Sequence, residues 1–152
     1  MTITHLLLDI EGTTCPVSFV SAVLFPYAKQ SLSSYLNDHQ EDSDLKSILQ
    51  AAEREWDGDS SPESINLRQA TRNQNLNFID SIKVYFEHLI NVDRKSTALK
   101  DLQGKIWDNG YRKGEITSHL FNETTECLKR RHRRQLSLSV YSSGSIQAQK
   151  LL

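Results

Sequence analysis

The sequence predicts an α/β fold in which a small parallel sheet is interrupted by a long, all-helical insertion. Three observations carry that expectation. A short apolar run near the amino end stops abruptly at acidic residues, and a second, alternating run lies near the carboxyl end. Between them, apolar residues recur at helical spacing. A whole βαβ unit needs about 30 residues, so the stretch 18–120 is too long to be only a crossover.

The first run holds Ile3, Leu6, Leu7 and Leu8 and ends in Asp9-Ile10-Glu11-Gly12-Thr13-Thr14. Its length favours a strand over a helix. Being apolar on both faces, it is expected inside a parallel sheet with cover on each side. The acidic residues then fall at the strand's carboxyl end, where open α/β sheets take their ligands.

From 18 to about 36, Phe19, Val20, Val23, Leu24, Tyr27, Ala28, Leu32, Tyr35 and Leu36 recur three and four apart, the pattern of an amphipathic helix. Pro26 lies within it and predicts a break or two helices. A polar loop over 38–44 precedes a helix over 45–56, and Asp57-Gly58-Asp59-Ser60-Ser61-Pro62 reads as a turn. Further helices are expected over 78–89, with Phe78, Ile79, Ile82, Tyr85, Phe86 and Leu89 on one face, and over 97–111. In the latter, Leu99, Leu102, Ile106 and Trp107 point inward, and Gly110 and Gly114 end the region. Another helix from about 124 to 134 leads into Leu136, Leu138 and Val140, whose alternation with Ser137 and Ser139 signals a strand. Ser142-Ser143-Gly144-Ser145 follows, then a helix over 146–152.

Composition narrows the function. At 152 residues the chain is about the size of one domain, and its 38% hydrophobic and 24% charged content is that of a globular protein. Eighteen Lys+Arg against nineteen Asp+Glu leave a net charge of -1, with no global pull toward nucleic acid or membrane. No apolar run approaches the roughly 20 residues of a membrane span. Two cysteines make no disulfide framework, and no secretory segment is legible, so a cytoplasmic protein is expected.

Asp9 and Glu11 are the first chemical signal. Two carboxylates at a strand end, with Gly12 allowing a tight turn, can share one Mg²⁺ or divide the work of nucleophile and acid/base. A bare Asp-x-Glu pair is more often two solvated loop acids. Here the surrounding string decides. Asp9-Ile10-Glu11-Gly12-Thr13-Thr14 resembles the first motif of the haloacid-dehalogenase superfamily, Asp-x-Asp-Gly-Thr in its phosphatases. Glu11 in place of the second Asp is similar to the enolase-phosphatase branch, the acireductone synthases of methionine salvage. Further segments resemble that branch in order: 99–107, Gly110-Tyr111, 141–145 and 148–152.

The resemblance implies a haloacid-dehalogenase-like Rossmannoid core over 1–17 and 121–152, incomplete and with a parallel sheet, and a helical cap inserted over 18–120. It implies a phosphoric monoester hydrolase that uses Mg²⁺ and an aspartyl-phosphate, with Asp9 as nucleophile and metal ligand. Glu11 would contact the metal and serve as acid/base, and Ser142 and Ser143 would contact substrate. Gly144 exposes backbone N–H groups at a helix start, a favourable place for an anion. The implied substrate is the small molecule 2,3-diketo-5-methylthiopentyl-1-phosphate, enolised and then dephosphorylated to acireductone by a monomeric enzyme. The family continues with a phosphate-binding Lys and a further acidic Mg²⁺ site on later strands. Lys150 belongs to the helix after the second motif and is not that Lys. The expectation is therefore a chain shortened at its carboxyl end, with little or no activity by itself.

Other readings remain beside this one: a generic small-molecule phosphatase of the same superfamily, or a non-catalytic remnant or interaction module. Cys127 and Arg133 satisfy the Cys-x5-Arg spacing of cysteine phosphatases, but no glycine lies between them to wrap a phosphate. Both cysteines are expected to be inert. Lys129-Arg130-Arg131-His132-Arg133-Arg134 is read as a solvated helix end, where cations offset the dipole, rather than a nucleic-acid patch. The five histidines show no metal-ligand spacing.

Overall fold

Among the described residues, two short strands and eight helices alternate much as the apolar pattern requires. A computed structural model describes residues 3–142 and 146–151. In order these are β1 (His5–Leu8), α1 (Val17–Phe19), a π-helical stretch (Val20–Leu24), α2 (Phe25–Asp38), α3 (Ser43–Gly58) and α4 (Pro62–Asn73). Then follow α5 (Phe78–Asn91), α6 (Thr97–Lys113), α7 (Asn122–Arg133), β2 (Ser137–Val140) and α8 (Ile146–Leu151).

By its internal contacts the chain divides into two units, Met1–Pro26 with Trp107–Leu152, and Tyr27–Ile106. The second is narrower than the 18–120 insertion drawn from the sequence.

In the first unit β1 and β2 pair in parallel, His5 opposite Ser137, Leu6 opposite Leu138, Leu7 opposite Ser139 and Leu8 opposite Val140. Strand alternation puts Leu6, Leu8, Leu138 and Val140 on one face and His5, Leu7, Ser137 and Ser139 on the other. Leu6, Leu8 and Leu138 are half-buried, and α7 packs against β2. Leu7 is 67% exposed. Cover on both faces was expected for this strand, and the described residues supply it on one only. The reason lies in the strand count: the sheet has two described strands, so little surrounds the second face.

The second unit is a helical bundle. α3 and α4 both pack on α5, burying Leu45, Leu49, Ala52 and Trp56 of α3 and Ile82, Tyr85, Phe86 and Leu89 of α5. The Trp56 and Tyr85 rings stack with centroids 4.8 Å apart. Trp56 Nε1 donates to the Ser64 carbonyl at 3.2 Å, which ties α3 to α4. Ser96 caps α6, its Oγ accepting from Leu99 N at 3.0 Å, while Glu55 accepts from Ala98 N at 3.0 Å.

Several expectations need correction. Pro26 does not separate two helices, since the backbone stays helical over 17–38; the expected break takes the form of the π-helical stretch Val20–Leu24 immediately before it, where Phe25 N donates to Val20 O. Helix α4 was hidden within and beyond the Asp57–Pro62 turn signal. It begins with Pro62 after an extended Ser61, but the residues it buries are Ser64 and Thr71, so no apolar stripe marks it. Gly110 lies inside α6. Gly114, at φ +73°, ends it, with Glu115 N donating to the Gly110 carbonyl at 2.9 Å. Phe78, placed on the inner face of α5, is 42% exposed because it opens the helix rather than lying within it.

Candidate active site

The chain leaves β1 into a tight loop organised around one carbonyl. Ile10 O accepts from the backbone N–H groups of Thr13, Thr14 and Cys15 at 3.2, 2.9 and 3.2 Å. It also accepts from Thr14 Oγ1 at 3.1 Å. Gly12 N donates to Cys15 O at 2.8 Å with Gly12 at φ +75°, and a Cβ there would meet Val17 Cγ2 at 3.1 Å. The side chains of Ile10 and Cys15 are buried beneath the loop, which leaves Asp9 and Glu11 facing outward. Asp9 Oδ1 accepts from Ile10 N at 2.8 Å.

The second strand arrives beside this loop. Tyr141 N donates to Leu8 O at 2.8 Å, one ladder bond beyond β2, which sets Ser142 next to the acids. Leu7, Leu8, Asp9, Glu11, Tyr141 and Ser142 line one open cavity of about 450 Å³. Three of the four candidate residues, Asp9, Glu11 and Ser142, are thus brought together at the carboxyl ends of the two strands. Ser143, the fourth, lies outside the described residues, as do Gly144 and Ser145. Sequence reasoning missed the cavity's apolar wall of Leu7 and Tyr141. Adjacency to Asp9 and Ser142 was the signal that could have found it.

Cys15 sits directly behind the acids and is fully buried. Burial pushes its thiol up, and the negative charges of Glu11 and Asp9 push it further in the same direction. A thiol held protonated is no nucleophile, so Cys15 packs the loop. Cys127 is half-buried on α7, whose last turn carries Arg130, Arg131, His132 and Arg133 at the carbonyl end of the helix. Trp107, expected in the helical core, is buried in the first unit, its Nε1 donating to Leu24 O at 2.8 Å.

The donor set bears on a metal. Among the described residues no group of three or more His, Cys, Asp and Glu gathers. Two carboxylates opening on one cavity fit Mg²⁺, which takes hard oxygen ligands, keeps several waters, and is held by one or two carboxylates plus substrate phosphate.

No family model matches the chain. Whole proteins do. One from Parasynechococcus marenigrum, named enolase-phosphatase E1, is 93% identical over 152 residues, all of this chain and 62% of that protein. Along its whole length the chain is similar to proteins named enolase-phosphatase E1. An enolase-phosphatase E1 of Prochlorococcus marinus is 53% identical over 99% of the chain and 61% of its own length. The crystal structure of UTR4 protein from Saccharomyces cerevisiae matches 99% of the chain and 56% of its own, with a TM-score of 0.65 and 32% identity. The chain therefore spans about three fifths of the length of the curated enolase-phosphatases it matches. No described helix is long and apolar enough to cross a membrane.

Proposed function

We propose that the cavity at the strand tips is the phosphoryl-transfer site of a Mg²⁺-dependent enolase-phosphatase, acting on 2,3-diketo-5-methylthiopentyl-1-phosphate in methionine salvage. The observation that carries this reading is the convergence of Asp9, Glu11 and Ser142 on one cavity. The relatives' name supports the same reaction class. In it, residues 1–17 and 121–152 belong to the haloacid-dehalogenase-like core, and the helical insertion is its cap.

Asp9 attacks phosphorus through its carboxylate, forming an aspartyl-phosphate as the alkoxide leaves. Glu11 donates the proton to that leaving oxygen and then takes one from the water that hydrolyses the acyl phosphate. One methylene longer than Asp, it reaches outward from the Gly12 turn. Ser142 and Ser143 donate hydroxyl hydrogens to phosphoryl oxygens. Asp9 and Glu11 would hold Mg²⁺, which when bound neutralises phosphate charge and aligns the phosphoryl group. Burial of Cys15 keeps a competing nucleophile out of the cavity.

The test is phosphate release and Mg²⁺-dependent phosphate binding in variants. Asp9→Asn is expected to abolish turnover, Glu11→Gln to lower it strongly, and Ser142→Ala to weaken phosphate binding by about 1.5–3 kcal/mol. Turnover persisting after both carboxylate changes would sink the assignment. A second reading, a chain without catalysis by itself, is favoured by the exposed Leu7 face of the sheet. Substrate-dependent phosphate release by the isolated chain would refute it.

A further inference from the structure

The end of α7 carries more positive charge than the helix dipole accounts for. Five of the chain's 18 Lys+Arg fall in the six positions 129–134, on a chain whose net charge is -1. All of the six but Arg131 are exposed. The carbonyls at this helix end are already bonded by backbone. Arg131 O accepts from Arg134 N at 3.1 Å and from Leu136 N at 3.3 Å, and His132 O accepts from Gln135 N at 2.9 Å. The cations are therefore not needed as caps. Lys129 reaches Glu126 Oε1 at 3.6 Å, the one ion pair that the run makes among the described residues. Like charges three and four apart on a helix, here Arg130 with Arg133 and Lys129 with Arg133, repel one another.

That uncompensated charge fits one kind of partner. No exposed residue over 122–134 is apolar, whereas a membrane-surface helix buries an apolar face and a protein interface is centred on aromatic and apolar anchors. A nucleic-acid backbone needs neither, because its phosphates are held by charge and by bidentate guanidinium bonds. Four of the five cations are arginine. No Phe, Tyr or Trp stands over 122–134 for a loose base to stack on, which favours a duplex over a single strand. We propose that Lys129, Arg130, Arg133 and Arg134 bind the phosphate backbone of a double-stranded nucleic acid without reading its sequence. The run stops three positions before β2 begins at Ser137. The acid-lined cavity lies beyond the other end of that strand, roughly 13 Å along it. The surface is separate from the phosphoryl site and does not depend on the phosphatase reading.

The test is fluorescence anisotropy of a labelled duplex of arbitrary sequence, titrated with the 152-residue chain at salt concentrations from about 50 to about 200 mM. Each phosphate neutralised steepens the dependence of log affinity on log salt by about 0.9, so four contacts should lose affinity on the order of a hundredfold across that range. Arg130→Gln, Arg133→Gln and Arg134→Gln combined should make the slope shallower by about 2–3. Arg130→Lys, Arg133→Lys and Arg134→Lys combined should keep most of it. The three side chains are exposed, so helical circular dichroism should stay unchanged. Arg133→Glu alone should weaken binding in the same direction, which keeps the test sound if the glutamine variant misfolds. Three results would overturn the proposal: no saturable binding at low salt, a slope that the glutamine changes leave as it was, or tighter binding to a single strand, to polyglutamate or to phosphatidylserine vesicles than to the duplex.

Discussion

Thr124 Oγ1 donates to the backbone carbonyl of Thr14 at 3.2 Å, joining the loop after β1 to the first turn of the helix before β2. The same carbonyl accepts from Phe121 N at 3.0 Å. Two segments more than a hundred residues apart in sequence are thereby pinned where the acidic loop must hold its shape. Thr124 is buried, so the hydroxyl does its bonding away from water.

Thr124→Val keeps the volume and removes that donor. The Thr14 carbonyl retains its Phe121 bond, so the expected loss is modest, about 0.5–1.5 kcal/mol. Urea denaturation followed by circular dichroism measures it. A variant as stable as wild type would show that the pin contributes nothing.

Gly12 is the second structural demand of the loop. Its φ of +75° lies where L side chains are strained, and an added Cβ would press on Val17 Cγ2 at 3.1 Å. Gly12→Ala should cost about 1–2 kcal/mol from the backbone alone. Adding Val17→Ala relieves the contact but leaves the backbone strain, so stability should recover only in part. Full recovery would place the whole cost in the contact.

In the helical unit, Asp59 is buried at the start of the turn before α4. Its Oδ1 accepts from Ser61 N at 3.0 Å, and its Oδ2 from Arg94 Nη1 at 2.6 Å. Burial pushes the carboxyl up, but the Ser61 N–H and the Arg94 guanidinium outweigh it and hold Asp59 well below the usual carboxylate range. A lowered value stabilises the fold above the ordinary Asp value near about 3.9 and is lost as pH falls through the folded one. Asp59→Asn should therefore cost about 1.5–3 kcal/mol at pH 7, with the gap to wild type narrowing as pH drops below about 4. A gap that does not change with pH would mean that the charge contributes nothing.

Much of this was legible in the residues. Strand ends, most helices and the Asp9–Glu11 pair announce themselves because apolar periodicity and a Gly-containing turn are local signals. Helix α4 was not legible, since Ser64 and Thr71 are buried where apolar residues would normally mark the inner face. The exposure of Leu7 was not legible in β1 either. A run of three leucines reads as buried on both faces, and whether a second layer covers it depends on contacts that no local pattern records. The same holds for Tyr141. It looks like the last residue of a strand, and only the register with Leu8 places it on the cavity wall beside Ser142.

The most direct test of the central claim, that the strand tips form a Mg²⁺-dependent phosphoryl site, is a Mg²⁺ titration of the isotopically labelled chain followed by amide chemical shifts. The account predicts saturable shifts at residues 9–12 and 141–142, lost when Asp9→Asn and Glu11→Gln are combined. Shifts that never appear at those residues, or that persist in the double variant, would contradict it.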